Sequence, residues 1–460
     1  MISVQTRSPG AAISENALGL SYETSLMLPD NEGKRYFRPD NKPLVTMFKT
    51  LGIKSLRIGG NSVDAPEIPV PTVADIEPLF EFAKAAGVKV IYSVRLAGGD
   101  PESAATLAKA IHDHYPKQLD SFAIGNEPGY YKDYDVYRAK WKAIHDAILA
   151  VDADAKFCGP DQNPSPTLFR NMVRDFGAES NHLVQITAHQ YPFGCAYKNP
   201  GQRSDISKLV PFDGEPSREK MLAREAYDTY ESVREGLAGA VAGTTVSFRL
   251  TEVNSYWFSG LKGASDSYAS ALWGLDYLHW WTSHGAAGLN FHTGDRTGGT
   301  LSMPCRYAAF VTSGAGYEAR PLAYGMKLFD LGGHGQSLKA TLAPSVEKEL
   351  VAYATLGRDK YVSVTIINNA HGADGTASEV QLKFDAVPAE PSQASAIFLR
   401  GAHGDLAGGS QDVTLGGAEI REDGTWYGQW TSLPVIDNDG ATIAVNIPPA
   451  SAVVVKKKLK

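Results

Sequence analysis

Cysteine is nearly missing from this chain of 460 residues: Cys158, Cys195 and Cys305 are all it has. Three widely spaced cysteines make neither a disulfide framework nor a zinc site, so buried thiols are expected. No apolar run reaches the ~18 residues of a membrane span. The N-terminus, MISVQTRSPG, lacks the apolar centre of an export signal. Location stays open between a cytosolic start and an extracellular or periplasmic protein whose signal has been removed. Positive charge is not in excess either, the net charge being −7. A broad basic surface for nucleic acid or heparin-like polyanions is therefore not expected. HExxH, GxSxG and GxxxxGK(S/T) are all absent, so the reading includes no metal or cofactor.

What the chain does have is the texture of a large globular protein, 43% hydrophobic and 21% charged. At ~150 residues per domain its length suggests two or three domains, although one (β/α)₈ barrel alone takes ~250. Trp, Tyr and Phe number 7, 21 and 17, which suits sugar-binding platforms and packed cores alike.

From residue 18 to about 331, eight strand-like apolar runs recur: 18–23, 55–60, 89–96, 119–127, 155–161, 183–191, 245–252 and 285–294. Helical spacing or capping marks 75–87, 100–115, 133–151, 217–239 and 321–332. Gly87 is a natural C-terminal stop, and Asp100-Pro101 suits an N-cap and first turn. Continuous apolar strands alternating with helices imply a parallel sheet, and eight such units a closed barrel. The expected fold class is α/β: a (β/α)₈ TIM barrel over 15–331. Beyond 332 the runs become short, alternating and β-rich, as in an antiparallel sandwich. Residues 2–7 are strand-like too and are expected in that sandwich, giving a second domain of 1–14 plus 332–460. The run 332–337 reads as the turn between the two, and the terminal KKKLK as a solvated end.

Two strand-like runs end in glutamate: AIGNEP, with Glu127, and RLTEVNS, with Glu252. They would close barrel strands four and seven. In such barrels the reactive groups gather at the C-terminal strand ends. Glycoside hydrolysis needs two carboxyl groups facing each other across a sugar. A single strand-end glutamate can equally be structural; two at these positions, with Asn126 before the first, point to that chemistry.

RIGGNS (57–62), AIGNEP (123–128), HQYP (189–192) and TEVNS (251–255), with the opening LGLSYE, resemble glycoside hydrolase family 79. That family holds heparanase and microbial β-glucuronidases, and the likeness to the latter spans most of the chain. It implies a retaining exo-β-glucuronidase acting on terminal glucuronic acid, with or without a 4-O-methyl group. The implied partner is a glucuronic-acid-containing glycan or glycoside, with no nucleic acid and no membrane. Glu127 would be the acid/base and Glu252 the nucleophile, ~5–5.5 Å apart. Asn126 would bind the sugar's 2-hydroxyl, and Glu23 and Asn61 other ring hydroxyls. Tyr191 and Arg57 are candidate donors to Glu252, Arg57 alternatively tying strand ends together. His189 faces the same way as Tyr191, as a supporting residue or a core histidine.

In the resembled family, backbone amides of a Gly-rich loop and tyrosine hydroxyls hold the uronate. Here Gly298, Gly299 and Tyr307 after strand eight, and Tyr256 and Trp257 after strand seven, are the candidates. The strand-eight loop departs from the family pattern in being longer and in carrying Arg296 and Arg306. Three alternatives remain: an endo-acting heparanase-like hydrolase, a transglycosylase, and a carbohydrate-binding protein without catalysis. The acidic balance and long loops favour a closed pocket over an open basic cleft.

Overall fold

The computed structural model describes residues 1–459 except 178–181, 198–208, 212–216, 295–304, 315, 345–348, 386–393, 403, 435 and 437–440. Eight parallel strands close into a barrel. They are β1 (Leu18–Glu23), β2 (Ser55–Gly59), β3 (Lys89–Val94), β4 (Leu119–Ile124), β5 (Phe157–Gln162), β6 (Leu183–Gln190), β7 (Ser247–Val253) and β8 (Leu289–His292). Each pairs with its neighbours in sequence, and β8 pairs with β1. β2 is buried along its whole length, because helices cover its outer face and side chains fill the inner one. That is why these strands appear as continuous apolar runs.

The caps follow from chemistry visible in the chain. Asp100 accepts from the amides of Glu102 and Ser103 and opens Pro101–His114. Gly87 ends Val73–Ala86 in the left-handed region, at φ 74°, where a Cβ would be strained. The helical pattern over 217–239 is two helices, Ser217–Leu222 and Ala226–Val241. Between them the amides of Ala226, Tyr227 and Asp228 bond three residues back, and Arg224 turns to the carbonyl of Leu350 at 3.1 Å. Tertiary contact with the second domain has overridden local propensity there.

The second domain is a large, mostly antiparallel sheet system. The N-terminal strand Ile2–Gln5 joins it, antiparallel to Gly335–Leu342 and parallel to Ser378–Phe384. Its own core includes Val4, Leu382, Val364 and Val455. A second apolar face (Ile397, Leu399, Val454) packs against barrel helices. The C-terminal tail is not a solvated end. Ser451–Lys458 lies between Tyr361–Asn368 and Ala394–Gly401. Lys457 is fully buried, and Lys456 lies over the Trp430 ring, 5.2 Å from its centroid. Lysine stems cover apolar surface well, so the basic run here belongs to an interior strand of the sheet. The three cysteines are buried thiols that form no disulfide. Among the described residues, no helix is long and apolar enough to cross a membrane.

Candidate active site

Glu127 follows the end of β4 in the left-handed region, at φ 45°. Such a conformation is costly for a residue with a Cβ and persists where its surroundings hold it. Two things hold it: the Glu127 amide donates to the carbonyl of Asp161 at 2.8 Å, and Nδ1 of His189 lies 3.0 Å from Glu127 Oε1. Glu252 lies near the end of β7, where the register against β6 shifts between Leu250 and Glu252. The extra residue of a bulge re-aims side chains. Here it lets consecutive residues serve the same site: Thr251 reaches Asp161 and Glu252 reaches Arg57. Carboxylate oxygens of Glu127 and Glu252 and a ring nitrogen of His189 all lie within 4.8 Å of one another.

Arg57, from β2, is the hub. Nη1 donates to Glu252 Oε2 at 2.7 Å and to Ser21 Oγ at 3.1 Å. Nη2 donates to Asn126 Oδ1 at 2.6 Å and to Asp161 Oδ2 at 2.8 Å. Arg57 thus ties several strand ends together and contacts Glu252 at the same time. The glycines after it are required by crowding. A Cβ on Gly59 would come 2.6 Å from the guanidinium, and one on Gly60 2.4 Å from the Glu23 carboxylate.

Tyr191 donates to the second oxygen of Glu252 at 2.9 Å. Burial would raise the Glu252 pKa, but the charges of His292, His189 and Arg57 and the Tyr191 hydroxyl outweigh it and hold the carboxyl far below its usual range. Glu252 is thus an ionised group in a closed site. Burial, then the nearby Glu252 charge, pushes the Tyr191 phenol well up, so it remains a donor.

Glu23 ends β1, two strands from Glu252 around the barrel, with His292 of β8 between them. It accepts from the Ser62 amide and hydroxyl and from the Asn61 amide, and lies 3.6 Å from His292 Nε2. Burial works against its ionisation, yet the bond and charge of His292, followed by Ser62, leave its pKa lowered. Burial likewise works against the His292 cation, and Glu252 and Glu23 overcome it, leaving the imidazole pKa raised. Asn126 is held at both ends of its amide, by Arg57 and, through Nδ2, by Asn61 Oδ1 at 3.1 Å. Tyr307 joins the cluster, its ring 5.9 Å from that of Tyr191 and 6.3 Å from that of His292. Trp257 is at the rim, 41% exposed, with Nε1 donating to the Tyr191 carbonyl.

Tyr256 corrects the expectation of a substrate contact. It is buried against Phe193, and its hydroxyl donates to the carbonyl of Ser217 at 2.9 Å. The phenol is engaged in packing the loop. Gly298, Gly299 and Arg296 lie outside the described residues. Arg306 faces Asp266 at 3.6 Å.

The sequence reading did not single out Asp161 and His292. Both end or follow the run of a barrel strand, β5 and β8, so the positional rule that found Glu127 and Glu252 would have found them. Glu127, His189 and Glu252 also form a set that could hold a metal ion. The bonds described above already engage these groups with His189, Arg57 and Tyr191.

No protein-family model matches the chain, and no curated protein does. Solved structures do match over their full length. One is a GH51 arabinofuranosidase from Xanthomonas axonopodis pv. citri, 13% identical, covering 99% of each chain with a TM-score of 0.68. A 4-O-α-L-rhamnosyl-β-D-glucuronidase from Fusarium oxysporum 12S is 18% identical, covering 98% of this chain and 99% of its own, TM-score 0.68. A GH39 enzyme from the same Xanthomonas is 14% identical, covering 100% and 97%, TM-score 0.65. The fold is thus that of a (β/α)₈ barrel with an appended β-sandwich, as found in these glycoside hydrolases.

Proposed function

We propose that the protein is a retaining glycoside hydrolase that removes terminal β-linked glucuronic acid, with or without a 4-O-methyl group, from glycans or glycosides. The observation that carries this reading is the close approach of two carboxyl groups, Glu127 and Glu252, with oxygens within 4.8 Å. Retaining enzymes hold their pair ~5–5.5 Å apart, whereas inverting enzymes leave ~6.5–9.5 Å for a water.

The roles divide by environment. Glu252, ionised and aimed by Arg57 and Tyr191, attacks the anomeric carbon. Glu127, with its side chain 31% exposed against 10% for Glu252, faces the leaving group and gives its proton to the departing oxygen. It then takes a proton from the water that hydrolyses the glycosyl ester. Asn126 offers the sugar's 2-hydroxyl a fixed amide. Glu23 and Asn61 face the remaining hydroxyls.

The choice of sugar rests on the resemblance to microbial β-glucuronidases and on the Fusarium neighbour. We assign the carboxylate contact to Tyr307, whose ring lies beside those of Tyr191 and His292. One observation favours a neutral sugar instead: Glu23, an ionised carboxylate in the mouth, repels an acid and suits hydroxyls. Arabinofuranosidases are among the structures that share the fold. A screen of nitrophenyl glycosides decides between the two. The proposal expects the β-glucuronide to be cleaved with at least a tenfold preference in kcat/KM, the size of one good polar contact at ~1.4 kcal/mol. Cleavage of the arabinofuranoside with none of the glucuronide would refute the acid-sugar reading and leave the two-carboxylate reading standing.

A further inference from the structure

Asp161 is a buried carboxylate to which the double-displacement reading gives no task. It is 1% exposed. Its Oδ2 accepts from Arg57 Nη2 at 2.8 Å and its Oδ1 from Thr251 Oγ1 at 2.6 Å. Its amide donates to Thr187 Oγ1 at 2.9 Å, and its carbonyl accepts the Glu127 amide at 2.8 Å. One residue on β5 thus ties together β2, β6, β7 and the acid/base after β4. Its backbone is left-handed, at φ 52°, a conformation that surroundings of this kind can sustain. With both oxygens taken and its surface covered, it does not meet the substrate.

We infer that Asp161 is a positioning residue that keeps the buried Arg57 cation compensated while the charge on Glu252 disappears and returns during turnover. The inference rests on the double-displacement reading above. In the resting site one guanidinium serves two carboxylates, Glu252 through Nη1 and Asp161 through Nη2. When Glu252 attacks, one of its oxygens bonds to the anomeric carbon. The bond from that carbon to the leaving oxygen breaks with its electron pair, and the oxygen takes the proton of Glu127. Glu252 is then a neutral ester. Arg57 is fully buried, and a buried charge that loses its only partner is strongly disfavoured. Asp161 remains as that partner. Water later splits the ester, Glu127 accepts the water's proton, and the Glu252 carboxylate is restored beside Arg57.

The two half-reactions should respond differently when the Asp161 charge is removed. In Asp161→Asn the undivided Arg57 charge favours the Glu252 carboxylate over its ester. Formation of the glycosyl-enzyme is slowed, while its hydrolysis, which restores the carboxylate, is not. A merely structural residue would slow both.

The test uses the full chain and an activated 2-deoxy-2-fluoro glycoside of whichever sugar the wild type prefers. Intact mass follows labelling of Glu252, and recovery of activity follows release. The expected result for Asp161→Asn is labelling slowed about 10- to 100-fold, the size of one charge-assisted hydrogen bond, with recovery equal to or faster than wild type. Thr251→Val removes the bond that aims the Asp161 carboxylate at Arg57; it weakens compensation of that cation without abolishing it, and should show the same split a few-fold in size. It carries the test by itself if Asp161→Asn does not fold. Folded variants in which both rates are unchanged, or fall in proportion, would overturn this inference alone. A wild type in which no such glycoside labels Glu252 would overturn the double-displacement reading, and this inference with it.

Discussion

Replacing Arg57 with lysine isolates what the guanidinium fork contributes beyond its charge. Arg57 makes four hydrogen bonds from two nitrogens, a carboxylate and a neutral oxygen on each. Lysine brings one nitrogen with three donors. An ammonium can stay with Glu252 and Ser21, or with Asn126 and Asp161, but it does not span both sides. The loss is therefore one bond to a charged partner, ~1.5–3 kcal/mol, and one to a neutral partner, ~1 kcal/mol. About 2.5–4 kcal/mol corresponds to roughly two to three decades at 1.4 kcal/mol per decade. We expect kcat/KM of Arg57→Lys to fall by about 10²–10³ on a nitrophenyl glycoside, within the range for breaking buried ion pairs. Because the positive charge is kept, and His292 and His189 stand ahead of Arg57 in holding the Glu252 pKa down, the acid limb of the pH profile should move up only slightly. Rates would be normalised to the folded fraction from thermal melts. A correctly folded Arg57→Lys within threefold of wild type would refute the reasoning, since it would mean that the second side of the fork does nothing.

Two further outcomes follow from the same geometry. Glu127→Ala should lose about 10²–10⁴ in kcat/KM on substrates with poor leaving groups, the usual size of general acid catalysis, and less on nitrophenyl glycosides; equal losses on both would remove Glu127 as the acid. Asp276 lies between the Tyr227 and Tyr353 hydroxyls, at 2.8 and 2.6 Å, where the barrel meets the sandwich. Burial, opposed by those hydroxyls and by the Arg224 charge, pushes its pKa up to about 6. The folded carboxyl then keeps its proton up to about pH 6 whereas the unfolded one releases it near pH ~3.9, so the native state binds more protons in that window and stability falls as pH rises through it. The full cost above that window is about 3 kcal/mol at 1.36 kcal/mol per pKa unit. Asp276→Asn should therefore lose less melting temperature than wild type between pH 4 and 7 in calorimetry, and parallel curves would show that Asp276 is not responsible.

What could be foreseen in the chain, and what could not, follows physical lines. The barrel strands were legible because burial on both faces writes each as one apolar run. Glu127 and Glu252 were legible because they interrupt such runs at the end that faces the mouth. The helix Ala269–Ser283 is buried on nearly every side, from Trp273 to Trp281, so it carries no amphipathic stripe to read. Asp161 closes the run 155–161 and so stood at a legible strand end, but in GPDQNP its company looks like turn chemistry, and it is the fold that brings Arg57 and Thr251 onto it. Lys456–Lys458 misled in the opposite sense, because charge was taken for exposure in a strand where Lys457 is buried. Tyr256 shows where extrapolation beyond a strand end loses force. Past Val253 the chain leaves β7 and strand alternation no longer sets direction. The Tyr256 ring packs on Phe193, while Trp257 comes back to Tyr191. The placement of Glu127 and Glu252 is set by barrel geometry, which a sequence pattern reports well. The sugar is chosen by loops whose side chains answer to local packing, and there a pattern of residue types says which groups are available but not which way they face.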